Sequence, residues 1–521
     1  MISAFEASRR HARHYLDVLV TANSLYLKGG ESVREGLQLF QLDKKSIQLA
    51  YRWTASNAGS DPAIARMCCD SYTAVTRVLY SQVHPLDQLE WVKSALSAAR
   101  FVQDKDCEET CLNGLGITQT ALGDFRSGIE TLEAALQFSQ QNGRPTGEAT
   151  ALGNLGVMHT RLGNPQRAIE CHERGIKILR ELGSTRSEML ALANLGNAVA
   201  DTGDSLKAIA YNEQALALAR TLKDRYTEGA LSGNLGMAYA QIGQYEKALQ
   251  LHEYALTVAR ELRDQRTEAY ALRNMGLLLW ETGRLQMAAS CHQKHLNIAR
   301  ELNDRYAESE ALYNLGNTVN LLGNVDHALE LAEAALEIDR EIGNRSGEGR
   351  DCGLLATCYR ARNDSARAIQ FHEQQLETAN EMGHERDQAD AWHSLGNTHV
   401  HFGDFERAAR SYEQACELYR KINDRRDLGD AINMLGYVSI QRGALDRAID
   451  CYEQCVQIAG ELGNDFGKAA MLVNKASTLH EAGRQAEAIE ACTVALEIFE
   501  RFGSTQAVEI RKLLDEWNSD G

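Results

Sequence analysis

Proline is almost missing from this chain: there are four in 521 residues, and none between Gln166 and Gly521. A proline inside a helix removes a hydrogen bond and clashes with the turn before it, so its absence is consistent with uninterrupted helical hairpins. Long apolar runs are missing too. No stretch approaches 18 apolar residues, which excludes a spanning helix and predicts no membrane partner. The start MISAFEASRRHARHYL carries Glu6 and three arginines where a secretory signal needs an apolar core, so the expected location is cytoplasmic. Positive charge is in deficit. The net charge of −17 argues against nucleic acid or an anionic membrane as partner.

Catalytic signatures are equally scarce. No GxxxxGK[ST] phosphate loop occurs, and no Ser-His-Asp motif or carboxylate pair stands out. His172, His252, His292 and His372 fall in one column, three of them followed by Glu. None completes HExxH, because Ile176, Leu256 and Leu376 stand where the second histidine would be. They are expected to be satisfied packing residues. The twelve cysteines form no CxxC pair. Cys107/Cys111 and Cys451/Cys455 are four apart, which reads as small buried hydrophobes in a reducing compartment. The expectation is no enzyme, no cofactor and no metal site.

What is present is a unit that recurs every 40 residues. Gly116, Gly156, Gly196, Gly236, Gly276, Gly316, Gly396 and Gly436 form one column. Seven residues later Gly123, Gly163, Gly203, Gly243, Gly283, Gly323, Gly403, Gly443 and Gly483 form a second. A third runs from Ala168 to Ala488. Such a period marks a stacked repeat array. Within one copy, Leu312, Leu315, Val319 and Leu322 have helical spacing, as do Ala328, Leu331, Ala335 and Leu336. Each copy therefore holds two amphipathic helices. Gly323 suits a left-handed cap after the first, and Asn324 or Asp326 can start the second. Gly316 lies inside a helix, where glycine costs roughly 1 kcal/mol against alanine, so a backbone crossing too close for a side chain is expected there.

These residues resemble the tetratricopeptide repeat in its 40-residue form, with phrasing like that of Pins/LGN and kinesin light chain repeats. The resemblance implies an all-α solenoid, a right-handed superhelix of helical hairpins with a concave and a convex side. The expected organisation is an irregular helical cap over 1–62, a degenerate repeat over 63–109, ten repeats over 110–501, and a capping helix and tail over 502–521. Arg180, Arg220, Arg260, Arg300, Arg340 and Arg420 replace the family's proline and let the second helix run longer. The copy near 350 departs most, with Ala356 and Asn363 replacing both glycines. In the cap, helices are expected over Phe5–Leu27 (stopped by Gly29-Gly30), Ser32–Phe40 and Lys44–Ser56, and the tail from Asn518 to Gly521 should fray. Residues 11–53 are also similar to the segment that precedes the repeats in bacterial NB-ARC/STAND signalling proteins.

In the repeat family the first helices line the groove. One column there is Asn154, Asn194, Asn234, Asn274 and Asn314, and another holds Asn197, Asn317 and Asn397. An amide both donates and accepts, so a ladder of them can pair with the backbone of an extended peptide, as the resemblance implies. The alternative is that they hydrogen-bond to the adjacent hairpin. Arg273, Arg350 and Arg360 fall on the same helices and suit a ligand carboxylate, while Asp390, Asp430 and Glu481 lie further on. The expected function is a scaffold that binds a peptide segment of a partner protein in the groove. The alternative is a regulatory or sensor subunit of a bacterial signalling or defence system with a separate effector.

Overall fold

Two turns per repeat set the architecture. After each first helix one residue takes a left-handed conformation, as Gly323 does at φ +86°. Asn363 takes the same conformation at φ +63° where glycine is lacking, because a short amide side chain tolerates that region. In some repeats the chain then re-enters a helix under a side-chain cap, as at Asp124, Asp204 and Asn324. Asn324 accepts from the backbone N–H of His327 at 3.4 Å, while Asp326 instead meets Arg362.

A computed structural model describes residues 3–28, 31–82 and 85–519. The Gly29-Gly30 stop, and Asp520 and Gly521 of the tail, lie outside the described residues. Those that are described form 25 helices and no strand. The chain divides into two compact units, Met1–Arg263 and Asp264–Gly521.

The first unit opens with α1 (Ala4–Lys28), α2 (Glu31–Asn57), α3 (Pro62–Gln82) and α4 (Pro85–Val102). The expected break near Gln41–Asp43 is absent. That segment has neither proline nor glycine, and α2 runs through it. These four helices pack on buried Phe40, Tyr51, Tyr72 and Trp91. Tyr51 stacks on Trp91 at 4.3 Å and donates to its carbonyl at 3.0 Å. Four hairpins follow: α5 (Lys105–Ala121) with α6 (Phe125–Gln141), α7 (Pro145–Arg161) with α8 (Pro165–Glu181), α9 (Thr185–Ala200) with α10 (Ser205–Thr221), and α11 (Arg225–Gln241) with α12 (Tyr245–Glu261).

The second unit holds six hairpins: α13 (Gln265–Glu281) with α14 (Leu285–Glu301), α15 (Arg305–Leu321) with α16 (Val325–Ile342), α17 (Arg345–Ala361) with α18 (Ser365–Met382), α19 (Glu385–His401) with α20 (Phe405–Lys421), α21 (Arg425–Gln441) with α22 (Leu445–Glu461), and α23 (Asp465–Glu481) with α24 (Gln485–Arg501). A final helix, α25 (Gln506–Ser519), buries Ile510, Leu514 and Trp517 on the last hairpin. It takes in Asn518 and Ser519, which were expected to fray. First helices begin about five residues before the expected repeat starts. Caps such as Asp264, Asp304 and Asp424 set the boundary, not the first apolar residue.

The glycine column has a different cause from the expected backbone crossing. It faces the side chain sixteen residues on, from the second helix of the same hairpin. A Cβ on Gly156 would sit 2.5 Å from the His172 ring, and one on Gly396 would sit 2.7 Å from the Tyr412 ring. Leu132, Asn212, His252, His292 and Tyr452 fill the same place in other hairpins. Gly316 is the exception. Ala332 lies sixteen residues on, and the nearest neighbour is Leu354 at 3.1 Å. The arginine column ties hairpins together. Arg180 meets Glu188 at 2.6 Å, Arg220 meets Glu228 at 3.1 Å and Arg300 meets Glu308 at 2.9 Å. Such surface pairs contribute about 0–1 kcal/mol each, so they fix register more than stability.

Candidate functional site on the inner face of the second unit

First helices approach one another within the second unit. α15 touches α17 and α17 touches α19, with no comparable contact among their second helices. The first helices therefore line the inside of the stack. The inner face of α17 follows from helical spacing: Arg350, Gly353, Thr357 and Arg360 recur at i, i+3, i+7 and i+10.

A pocket of about 340 Å³ opens on this face. Tyr313 and Asn317 come from α15, Arg350, Gly353 and Thr357 from α17, Gln375 from α18, and Asp387, Asp390 and Ser394 from α19. The Arg350 guanidinium lies over the Tyr313 ring at 5.2 Å. Its Nε is buried without a hydrogen-bond partner. Arg360 is half-buried, and desolvation holds its pKa down. Among the described residues no carboxylate lies within ion-pair distance of either arginine. Asp390 accepts from the Tyr419 hydroxyl at 2.6 Å, and burial pushes its pKa up. Asp430 is pushed up by burial too, while Glu481 is exposed.

The remaining expected residues sort by partner. Arg273 is engaged: its Nε donates to Glu310 at 2.7 Å, and Nη1 to Asn274 at 3.4 Å. Asn274 itself is buried. Asn397 accepts from the Tyr412 hydroxyl at 2.7 Å. In the first unit Asn154 donates to Asn113 at 3.1 Å and Asn234 to Asn197 at 3.3 Å. These amides link successive repeats. Asn194 and Asn314 are half-buried on the first-helix face of their own units. The structure thus brings Asn317 and Arg350 together, leaves Arg360 beside Tyr412 outside the pocket lining, and gives several other amides protein partners.

Two features escaped sequence reasoning. The first is a buried carboxyl pair, contrary to the expectation that none exists. Asp351 of α17 lies beside Asp339 of α16, both almost fully buried. Burial, and then the Asp339 charge, push the Asp351 pKa up to about 8. Asp339 presses on Gly347 and accepts from Asn344 at 3.0 Å. The second feature is the state of the histidine column. His172, His252, His292 and His372 are buried as expected but not satisfied. Each keeps at least one ring nitrogen without a partner. Burial lowers all four pKa values to about 4.

No helix of the described residues is long and apolar enough to cross a membrane, and no cluster suited to a metal occurs among them. The sequence model of the tetratricopeptide repeat matches residues 108–181, 186–261, 267–341, 351–421 and 427–501. No curated protein matches. Similar solved structures include a signal transduction ATPase with numerous domains and a tetratricopeptide repeat sensor from Pyrococcus horikoshii. It is 15% identical with a TM-score of 0.48, over 95% of this chain and 74% of that one. The apo quorum sensor NprR of B. thuringiensis is 17% identical with a TM-score of 0.48, over 66% of this chain and 99% of its own. BtubC from P. vanneervenii is 22% identical with a TM-score of 0.38, over 42% and 92%.

Proposed function

The chain belongs to the tetratricopeptide repeat family, and we propose that it is a non-catalytic scaffold whose second unit holds a peptide segment of a partner protein on its inner face. One observation carries the reading: Arg350 and Arg360 stand half-buried on that face without a carboxylate. An arginine withdrawn from water costs free energy unless paired, and a partner's acidic side chain or C-terminal carboxylate supplies the pair bidentately. Asn314 and Asn317 on α15 add amides that read backbone. The same amides on the first unit serve its own repeats, so that unit is the lesser candidate. All twelve cysteines are free, which fits a reducing, cytoplasmic setting.

Short extended peptides, acidic and neutral, test this by fluorescence polarisation. Hydrogen bonds to charged groups contribute about 1.5–3 kcal/mol. Replacing both arginines (Arg350→Glu with Arg360→Glu) should therefore weaken acidic-peptide binding by about 10- to 100-fold, with an unchanged thermal melt. Equal binding by the double variant sinks the reading.

A further inference from the structure

We propose that the pocket opened by Gly353 binds the zwitterion of a free amino acid, one residue presenting both a carboxylate and a cationic nitrogen. The inference rests on reading the inner face as a binding surface, and it names what the pocket on that face takes.

The pocket exists because side chains are missing. The neighbouring copies carry Tyr313 and His393 where α17 has Gly353. Glycine is a poor helix former, and α17 has three, at 347, 349 and 353. Packing explains only the first, which lies under Asp339. A Cβ on Gly349 would meet Thr378 at 3.6 Å, an ordinary contact. One on Gly353 would meet the flexible amide of Gln375 at 3.1 Å. Neither position requires glycine for the fold, and both line the pocket.

Its charges are of both signs and come from opposite sides of α17. Arg350 leans towards α15, onto Tyr313, with a buried Nε that nothing in the protein satisfies. Asp387 and Asp390 come from α19. Asp390 gives one oxygen to Tyr419 and has Arg386 only at 4.0 Å from the other. Arg386 is held by Asp424 and Asp427. A ligand of one charge would satisfy one wall and leave the other. A zwitterion satisfies both, its carboxylate on Arg350 and its cationic nitrogen on Asp387 and Asp390. The volume lies at the small end of ligand pockets and suits one residue.

The probes are the free proteinogenic amino acids and their N-acetyl and C-amide derivatives, titrated by calorimetry beside thermal melts. At least one free amino acid should bind. Removing either ligand charge should weaken binding by about tenfold or more. Arg350→Gln and Asp390→Asn should each do the same, and Gly353→Leu should abolish binding. The two charge variants keep the test decisive if the leucine disturbs Gln375. Absence of any binder, equal binding of a capped derivative, or unchanged binding in both charge variants overturns the proposal. Acidic-peptide binding that depends on Arg350 and Arg360, with no zwitterion bound, leaves the scaffold reading standing and removes this one alone.

Discussion

Hairpin α17–α18 and its successor α19–α20 have the same period but are built differently inside. Position by position, Ala356 faces Gly396, His372 faces Tyr412, Asp351 faces Ala391, Gly353 faces His393, and Asn363 faces Gly403. In α19–α20 the tyrosine ring lies flat on a glycine, and its hydroxyl reaches Asn397. In α17–α18 Gln375 holds the His372 ring at 3.0 Å, and an alanine fits opposite. One hairpin spends its glycine on packing a large ring. The other moves its glycines to the inner face, where they leave a pocket, and buries Asp351 and His372 where its successor has Ala391 and Tyr412. A repeat can therefore trade stability for a site while keeping its period.

The steric half of this comparison predicts the largest effect. Gly396→Ala should destabilise the second unit by about 3 kcal/mol, because its Cβ would meet the Tyr412 ring and overpacking costs about 1–3 kcal/mol or more. Gly353→Ala should be neutral or stabilise by up to about 1 kcal/mol through helix propensity. Urea melts of both variants decide it, and similar losses would break the contrast.

The electrostatic half comes next. The His372 pKa is lowered in the folded state to about 4 from an ordinary 6.5. The folded protein thus favours the neutral ring. That stability is present above pH 6.5 and is lost as pH falls towards 4, by about 2 kcal/mol at pH 5. In the Asp351→Asn background, where the opposing carboxyl is gone, hydrogen exchange should show α17–α18 opening more at pH 5 than at pH 7. Asp351 has the opposite sign. Its pKa is raised to about 8, so the folded state holds a proton that the unfolded chain releases above pH 3.8. The cost grows as pH rises. Asp351→Asn should stabilise most at pH 8 and by progressively less as pH falls towards 4. A pH-independent gain would show that ionisation is not the cause.

Legibility followed the same divide. The 40-residue period and the two helices were readable because backbone geometry imposes them: a left-handed residue at Gly323 and an apolar stripe from Leu312 to Leu322. What lies under the glycine column was not readable. Its partner sits sixteen residues on, on another helix, and changes from Leu132 to His172 to Tyr412. The Asp339–Asp351 pair spans two hairpins and matches no motif. Arg273 looked free because its partner, Glu310, is 37 residues away. The pocket is made by an absence. Its sign in the sequence is the off-column glycines of α17, which follow no column of the repeat, unlike the missing column glycines at Ala356 and Asn363.

The smallest effect concerns the turn where Asn363 and Gly403 correspond. Both take positive φ, +63° and +77°. Asparagine tolerates this region through its short amide, whereas a β-branched residue does not. Gly403→Asn should therefore cost under about 1 kcal/mol, and Gly403→Val about 1–2 kcal/mol. Asn363→Gly should gain at most a few tenths, because the backbone relief is offset by the added freedom of the unfolded chain. Thermal melts of the three variants order the effects. If Gly403→Asn proved as costly as Gly403→Val, the asparagine in α17–α18 would not be a neutral replacement. That hairpin would then carry strain in its turn as well as the cost of its buried titratable groups.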